Sequence, residues 1–266
     1  MADETAMPDP AELTKALFKD LREKAALPPG SKMVLGFLAG VYIGLGGLFA
    51  TIALAQSAQL PFGVAQVLAG LVFSLGLALV LIAGAELFTG NTLMAGPVAN
   101  GSLGAGQAVG ALALVYGANF AGALALAGAV VLSGAAESGD GAVRRAAVEL
   151  GVSKLDKSFG ATFVSGILAN MLVCLAVWMS HAGKTVTAKV AGLLLPVTAF
   201  VAAGFEHSIA NMYLLPQAYF LQGEALDQVI SVFGVLCNLV PATAGNLLGG
   251  AAIALCYGYV YAGTEP

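Results

Sequence analysis

Between Lys32 and Glu86 the chain carries no Asp, Glu, Lys or Arg, and the same holds from Glu86 to Glu137, from Lys157 to Lys184 and from Asp227 to Glu265. A helix crossing a bilayer takes about 20 apolar residues, so each charge-free window is long enough for one or two crossings. Of the 266 residues, 59% are hydrophobic and 10% charged, with a mean hydropathy of +0.89. A soluble domain carries about 25% charged residues, so a chain this poor in charge belongs in a membrane. The lipid bilayer is the first partner this implies, and no nucleic-acid partner is expected.

The first 32 residues are charged throughout and lack an apolar stretch before a small-residue cleavage site, so no cleavable signal is expected. Asp9-Pro10-Ala11-Glu12 reads as a helix start, with Asp as cap, Pro in the first turn and Glu three residues after the cap. Leu13, Leu17, Leu21 and Ala25 follow at helical spacing up to Pro28-Pro29-Gly30, which predicts an amphipathic helix on the membrane surface. Residues 1–32 form this N-terminal segment, 33–262 the membrane domain and 263–266 a tail. Spans are expected at 33–54, from 62 to a break at Glu86, at 107–132, at 159–180, from 189 to 220 with a break at Glu206-His207, and at 232–261. Gly36, Gly40 and Gly44 in the first span form a small-residue face that lets a neighbouring helix come close. Residues 133–158 read as a polar loop between two halves. His181 reads as a solvated turn residue. Cys174, Cys237 and Cys256 lack metal-ligand spacing and read as small buried hydrophobes. No metal or cofactor is called for.

The two halves repeat. Gly84-Ala85-Glu86 through Asn91 and Gly204-Phe205-Glu206 through Asn211 both read G-x-E-x-x-x-x-N, each in the second span of its half. Asn119-Phe120-Ala121-Gly122 matches Asn246-Leu247-Leu248-Gly249 in the third spans. The offsets are 120 and 127 residues. Three spans per half is an odd number, so the halves insert with opposite orientation: an all-α membrane protein of six spans, a 3+3 inverted repeat with two broken helices. Lys15, Lys19, Arg22, Lys24, Lys32, Lys184 and Lys189 fall on the N-terminal side, against Arg144, Arg145, Lys154 and Lys157 on the other. The bias of seven to four predicts both termini in the cytoplasm.

Backbone that leaves helical form at membrane depth survives where it is buried in protein or lines an aqueous path. Two symmetry-related breaks therefore point to one central site, and the half-helix ends aim partial charges at it. The second break puts His207 there, and the matching position in the first is Leu87. A membrane histidine can simply bond across helices, but ionisable groups inside spans are costly and default to function. Glu86 and Glu206 read equally well as anchors that hold their breaks, with Asn91 and Asn211 serving the same end. An enzyme using Glu206 and His207 as a pair is disfavoured, since adjacent helical residues point about 100° apart and no nucleophile accompanies them. A structural scaffold would explain the glycines but not two paired breaks.

AELFTGNTL (85–93), GILANMLVCLAVWMS (166–180) and GFEHSIANM (204–212) resemble the formate/nitrite transporter family over nearly the whole chain. The resemblance implies aquaporin-like topology and a homopentamer in the bacterial inner membrane, with one pore per protomer for small monovalent anions such as formate, nitrite, acetate, lactate or hydrosulfide. It implies a central histidine at His207, broken-helix loop residues at Leu87, Phe88 and Thr89, and apolar constrictions at Phe73, Leu77, Leu87, Phe88 and Phe200. It also implies a vestibule lysine at Lys154, an asparagine beside the path at Asn170, and a pairing of Glu206 with Lys24. The segment around His207 is closer to formate channels, whereas Gly90 in LFTGNT is closer to nitrite channels. The expected mechanism has Lys154 draw in a weak-acid anion, which crosses the apolar constrictions more easily as the neutral acid because burying a charge is costly. His207 takes part in the proton exchange.

Overall fold

The computed structural model describes residues 7–223 and 230–263. The first six residues of the N-terminal segment and the last three of the tail lie outside them. α1 (Pro10–Ala26) starts as expected: Asp9 Oδ1 accepts from the Glu12 N–H at 2.8 Å. Its apolar stripe does not face lipid. Leu17, Phe18 and Leu21 are buried in the protein, and the Phe18 ring meets Trp178 edge-on at 6.4 Å. Gly96 makes this docking possible, because a Cβ there would collide with the Phe18 ring.

α2 (Pro29–Leu54), α3 (Phe62–Ala83), α6 (Ala105–Leu132), α8 (Phe159–Ala182) and α11 (Val232–Tyr257) follow the charge-free windows. Each is long and apolar enough to cross a membrane, α11 together with the π turn Gly258–Ala262 that extends it. The remaining span is split: α9 (Val186–Ala202) is followed by a break and then α10 (Ser208–Leu221). After α3 comes the matching break, then the short helix α4 (Phe88–Asn91), a 3-10 turn and α5 (Ala95–Ala99). Phe62, Leu132 and Phe233 stand exposed on the outside of the bundle, an apolar belt suited to lipid or a neighbouring protomer.

Glycine contacts set the helix spacing in both halves. A Cβ on Gly122 would collide with the Phe37 carbonyl oxygen, and one on Gly40 with that of Asn119, so α2 and α6 touch backbone to backbone. α8 and α11 do the same, since Gly249 lies against the Ile167 carbonyl and Gly245 against that of Phe163.

Three expectations are corrected. The polar loop is mostly α7 (Ser138–Leu155), whose Ala142, Val143, Ala146 and Ala147 are buried at i, i+1, i+4 and i+5 on the bundle; only Gly139–Gly141 take left-handed backbone. His181 closes the last turn of α8, and its Nε2 stands 3.5 Å from Asp20 Oδ2 of α1, because α1 docks across that helix end. Cys174 is buried, but Cys237 and Cys256 are exposed, since α11 turns them to the outside of the bundle.

Candidate functional site

The two breaks share one construction. α3 ends at Gly84 with φ 76°, and α9 is followed by Gly204 with φ 66°. That left-handed backbone costs other residues energy and turns the chain out of the helix. In each break the N–H of the next residue reaches back five positions, Ala85 to the Val80 carbonyl at 2.9 Å and Phe205 to the Phe200 carbonyl at 3.0 Å. The chain then runs extended and restarts at Leu87 (φ −106°, ψ 121°) and His207 (φ −106°, ψ 113°), which cap α4 and α10.

An asparagine on the third span of each half satisfies the polar groups that the break frees. Asn119 Oδ1 accepts from the Phe88 N–H at 2.9 Å, while its Nδ2 donates to the carbonyls of Glu86 (2.9 Å) and Gly36 (2.8 Å). Asn246 Oδ1 accepts from the Ser208 N–H at 2.8 Å, and its Nδ2 donates to the carbonyls of Glu206 (2.9 Å) and Gly166 (2.8 Å). Both side chains are fully buried, where an unpaired backbone group would cost roughly 1–3 kcal/mol. The repeat marks these asparagines in the sequence, but their work as clamps is visible only in three dimensions.

The carboxylates complete each break. Glu86 Oε2 accepts from Asn91 Nδ2 at 2.7 Å, and Glu206 Oε2 from Asn211 Nδ2 at 2.6 Å. Their cations differ from the pairing that the resemblance implies. Lys24 does not reach Glu206; its Nζ binds Glu86 Oε1 at 2.9 Å. Glu206, 0% exposed, is held by Lys154 Nζ at 3.1 Å and Lys157 Nζ at 2.5 Å. The inverted repeat explains the exchange. α3 runs away from the far face toward the N-terminal side and α9 runs the other way, so the breaks turn their carboxylates to opposite faces. Lys157 is a site residue that the sequence did not mark: it stands two residues past the end of α7, in the turn before α8, and reaches Glu206 from there.

At the centre, His207 Nδ1 accepts from the Ala210 N–H at 3.0 Å, and Nε2 lies 2.9 Å from Thr89 Oγ1. An acceptor Nδ1 means that the proton of the neutral ring is on Nε2, so the imidazole donates to Thr89. The Thr89 hydroxyl keeps its own proton for another acceptor. The Phe200 ring stacks on His207 at 5.7 Å and 25°, and Phe73 meets Phe200 edge-on at 5.6 Å.

Two cavities flank this centre. One, about 90 Å³, is lined by Lys154, Phe73, Phe200, His207 and Asn211. The other, about 30 Å³, or room for about one water, is lined by Leu77, Leu87 and Gly90 with Asp20, Lys24 and His181 of the N-terminal side. Phe73 and Leu77 are one turn apart on α3, so one helix face contributes an apolar side chain to each cavity. Phe88 lines neither; its ring lies 4.8 Å from that of Tyr116 on α6. Asn170 stands behind Thr89, with Nδ2 3.2 Å from the Thr89 carbonyl. Among the described residues no group of His, Cys, Asp and Glu could hold a metal ion.

The site thus has a lysine in the lining of the cavity on each side, apolar side chains between them, and a hydrogen-bonding pair at the centre. It offers ammonium groups and a hydroxyl donor, and among the described residues it shows no nucleophile-and-base geometry. The family profile described as Formate/nitrite transporter matches residues 11–261. The formate channel FocA of Escherichia coli K12 is 34% identical over 267 aligned positions, covering 95% of this chain and 94% of that one. The uncharacterized transporter YrhG of Bacillus subtilis is 37% identical over 258 positions, covering 95% and 93%. Among solved structures, a pentameric formate channel with formate bound superposes with a TM-score of 0.82 at 32% identity, covering 88% of this chain and 98% of that one. An FNT family ion channel superposes at 0.83 and 30% identity, covering 96% and 99%. With this match running from α1 to the end of α11, over two broken helices that meet at one histidine, the chain belongs to the formate/nitrite transporter family of non-enzymatic membrane channels.

Proposed function

We propose that the chain passes small monovalent weak-acid anions, formate before others, through one pore per protomer of a homopentamer in a bacterial inner membrane, with both termini cytoplasmic. The observation that carries this reading is the His207–Thr89 pair set in an apolar waist between two lysine-bearing vestibules. Lys154, which shares the single carboxylate of Glu206 with Lys157 and so leaves one positive charge in excess, offsets the cost of bringing an anion to the waist, where a bare charge is strongly disfavoured. The Thr89 hydroxyl, oriented by His207 Nε2–H, donates to the arriving carboxylate. A proton drawn from water on the entry side and returned to water on the exit side lets the anion cross the waist of Phe73, Leu77, Leu87 and Phe200 as the neutral acid. His207 takes part by exchange at Nδ1, which must release the Ala210 N–H to accept a proton, so uptake at the ring loosens the first turn of α10. The formate channels among the relatives support formate as the substrate.

The test is uptake by liposomes containing the purified protein. Formate, nitrite, acetate, lactate and hydrosulfide are offered singly over a range of outside pH. Formate is expected to enter fastest, and faster as the outside is acidified. Nitrite or hydrosulfide outrunning formate would reassign the substrate. Uptake no faster than in protein-free liposomes for all five would overturn the channel reading.

A further inference from the structure

Behind the two breaks, equivalent positions are built differently. The G-x-E-x-x-x-x-N repeat sets Thr92 against Met212. The clamps set Gly36 against Gly166, since each glycine carbonyl accepts from its asparagine Nδ2. By the same register Gly40 corresponds to Asn170 and Gly44 to Cys174. Behind the His207 break the set is apolar or bare: Met212, Gly40 and Gly44, with the Tyr213 ring filling the space, where a Cβ on Gly44 would come to 3.0 Å. Behind the Thr89 break it is polar, with Thr92 3%, Asn170 0% and Cys174 0% exposed.

All three polar side chains donate to one atom, the carbonyl oxygen of Thr89. Thr92 Oγ1 is at 2.6 Å, Asn170 Nδ2 at 3.2 Å and Cys174 Sγ at 3.6 Å. Asn170 Nδ2 also lies 2.9 Å from Thr92 Oγ1 and 2.6 Å from the Asn246 carbonyl. Asn246 is the residue that clamps the His207 break, so the cluster runs from the backbone of Thr89 to the holder of its partner. Gly250 makes room for it, because a Cβ there would collide with Thr92 Oγ1 and come 2.8 Å from Asn170 Nδ2.

We propose that Thr92 and Cys174, acting with Asn170, tie the backbone of Thr89 to the opposite half and so hold its hydroxyl against His207, which makes Thr92 and Cys174 positioning residues for permeation. One carbonyl served by three buried donors exceeds what a helix needs, and the other half holds its break without the set. What differs is that Thr89 must keep a short side chain aimed across the pore. A single hydroxyl hydrogen bond can rotate, whereas pinning the carbonyl of the same residue fixes the Cα–Cβ direction.

The inference rests on the anion-channel reading, and the test separates the two. Full-length parent, Thr92→Val, Thr92→Ser, Cys174→Ala and Cys174→Ser are placed in liposomes. Formate flux, its pH profile and the formate-to-acetate ratio are measured on preparations matched for pentamer. Thr92→Val should lower formate flux roughly tenfold, the size of one lost bond to a buried carbonyl, and shift the ratio. Thr92→Ser, which keeps the donor, should stay within about twofold of the parent, and Cys174→Ser should exceed Cys174→Ala, because a hydroxyl is the stronger donor. A parent that passes no anion sinks the channel reading itself. A conducting parent with Thr92→Val at parental flux and ratio, or with Thr92→Ser no better than Thr92→Val, overturns the tie. If Thr92→Val does not assemble, the cysteine pair decides: equal flux and equal ratio in Cys174→Ala and Cys174→Ser overturn it as well.

Discussion

Replacing Glu206 by Gln should destabilise the protein far more than replacing Glu86 by Gln, although the two residues are equivalent in the repeat. The side chain of Glu206 is 0% exposed and compensates two ammonium groups, those of Lys154 at 12% and Lys157 at 33% exposure. Removing one partner of a buried ion pair costs about 3–5 kcal/mol, because the remaining charge is left without compensation. Glu86 faces only Lys24, 24% exposed, which can turn its ammonium to water, so about 1–2 kcal/mol is expected there. Gln can still accept from Asn211 or Asn91, so the break itself keeps its hydrogen bond and the difference isolates charge. The assay is thermal loss of the detergent-solubilised oligomer, followed by size exclusion, for both variants and for Glu206→Gln combined with Lys157→Gln. The double variant should recover part of the loss, since it removes one of the two stranded charges. Equal losses for Glu86→Gln and Glu206→Gln, or no recovery in the double variant, would refute the reasoning.

His207→Asn keeps a side chain able to cap α10 but cannot titrate, so it should conduct with a flattened pH profile. His207→Phe removes the cap, about 0.5–2 kcal/mol, strands the Thr89 hydroxyl, about 1–3 kcal/mol, and should abolish proton-coupled uptake. A parental pH profile in the Asn variant would remove titration of His207 from the mechanism. Lys154→Gln should slow anion entry while the oligomer persists, because Lys157 still neutralises Glu206; the difference should shrink as salt is added, and parental flux at low salt would contradict it. Burial alone would raise the pKa of Asp20 on α1, but its bond to His181 and the charge of Lys24 outweigh this and bring it below the ordinary 3.8. A lowered carboxyl stabilises α1 docking above that value and stops doing so as pH falls through the lower one. Protease cleavage of α1 should therefore rise below about pH 4 in the parent and be insensitive to that change in Asp20→Asn.

Much of the architecture was legible because a bilayer makes composition speak. Charge gaps marked the spans, and the G-x-E-x-x-x-x-N pair located both breaks within a few residues. α7 was not legible: its buried stripe is only alanine, valine and glycine, interrupted by Arg144, Arg145 and Glu149, which leaves a weak period against a polar background. The ion pairs were misread for a different reason. Chain distance says nothing about which lysine meets which carboxylate, and a resemblance in sequence carries no information on which face a break turns to. The inverted repeat contained that answer, since the α3 break has to face the side of Lys24. Thr92 carried no signal either, being one more small polar residue in a segment rich in them; Cys174 was read as filler, and its aim at the Thr89 carbonyl depends on the register of α8 against the break.

The matched clamps of Asn119 and Asn246 have a consequence for descent. Each holds its break through backbone atoms alone, so the cap residue between them was free to diverge after duplication without endangering the fold. A symmetric ancestor, pairing two identical three-helix chains, would have presented the same side chain from both sides of its channel. One substitution at that cap, in one copy, suffices to turn a two-fold conduit into one with a single chemically distinct side, Leu87 opposite His207.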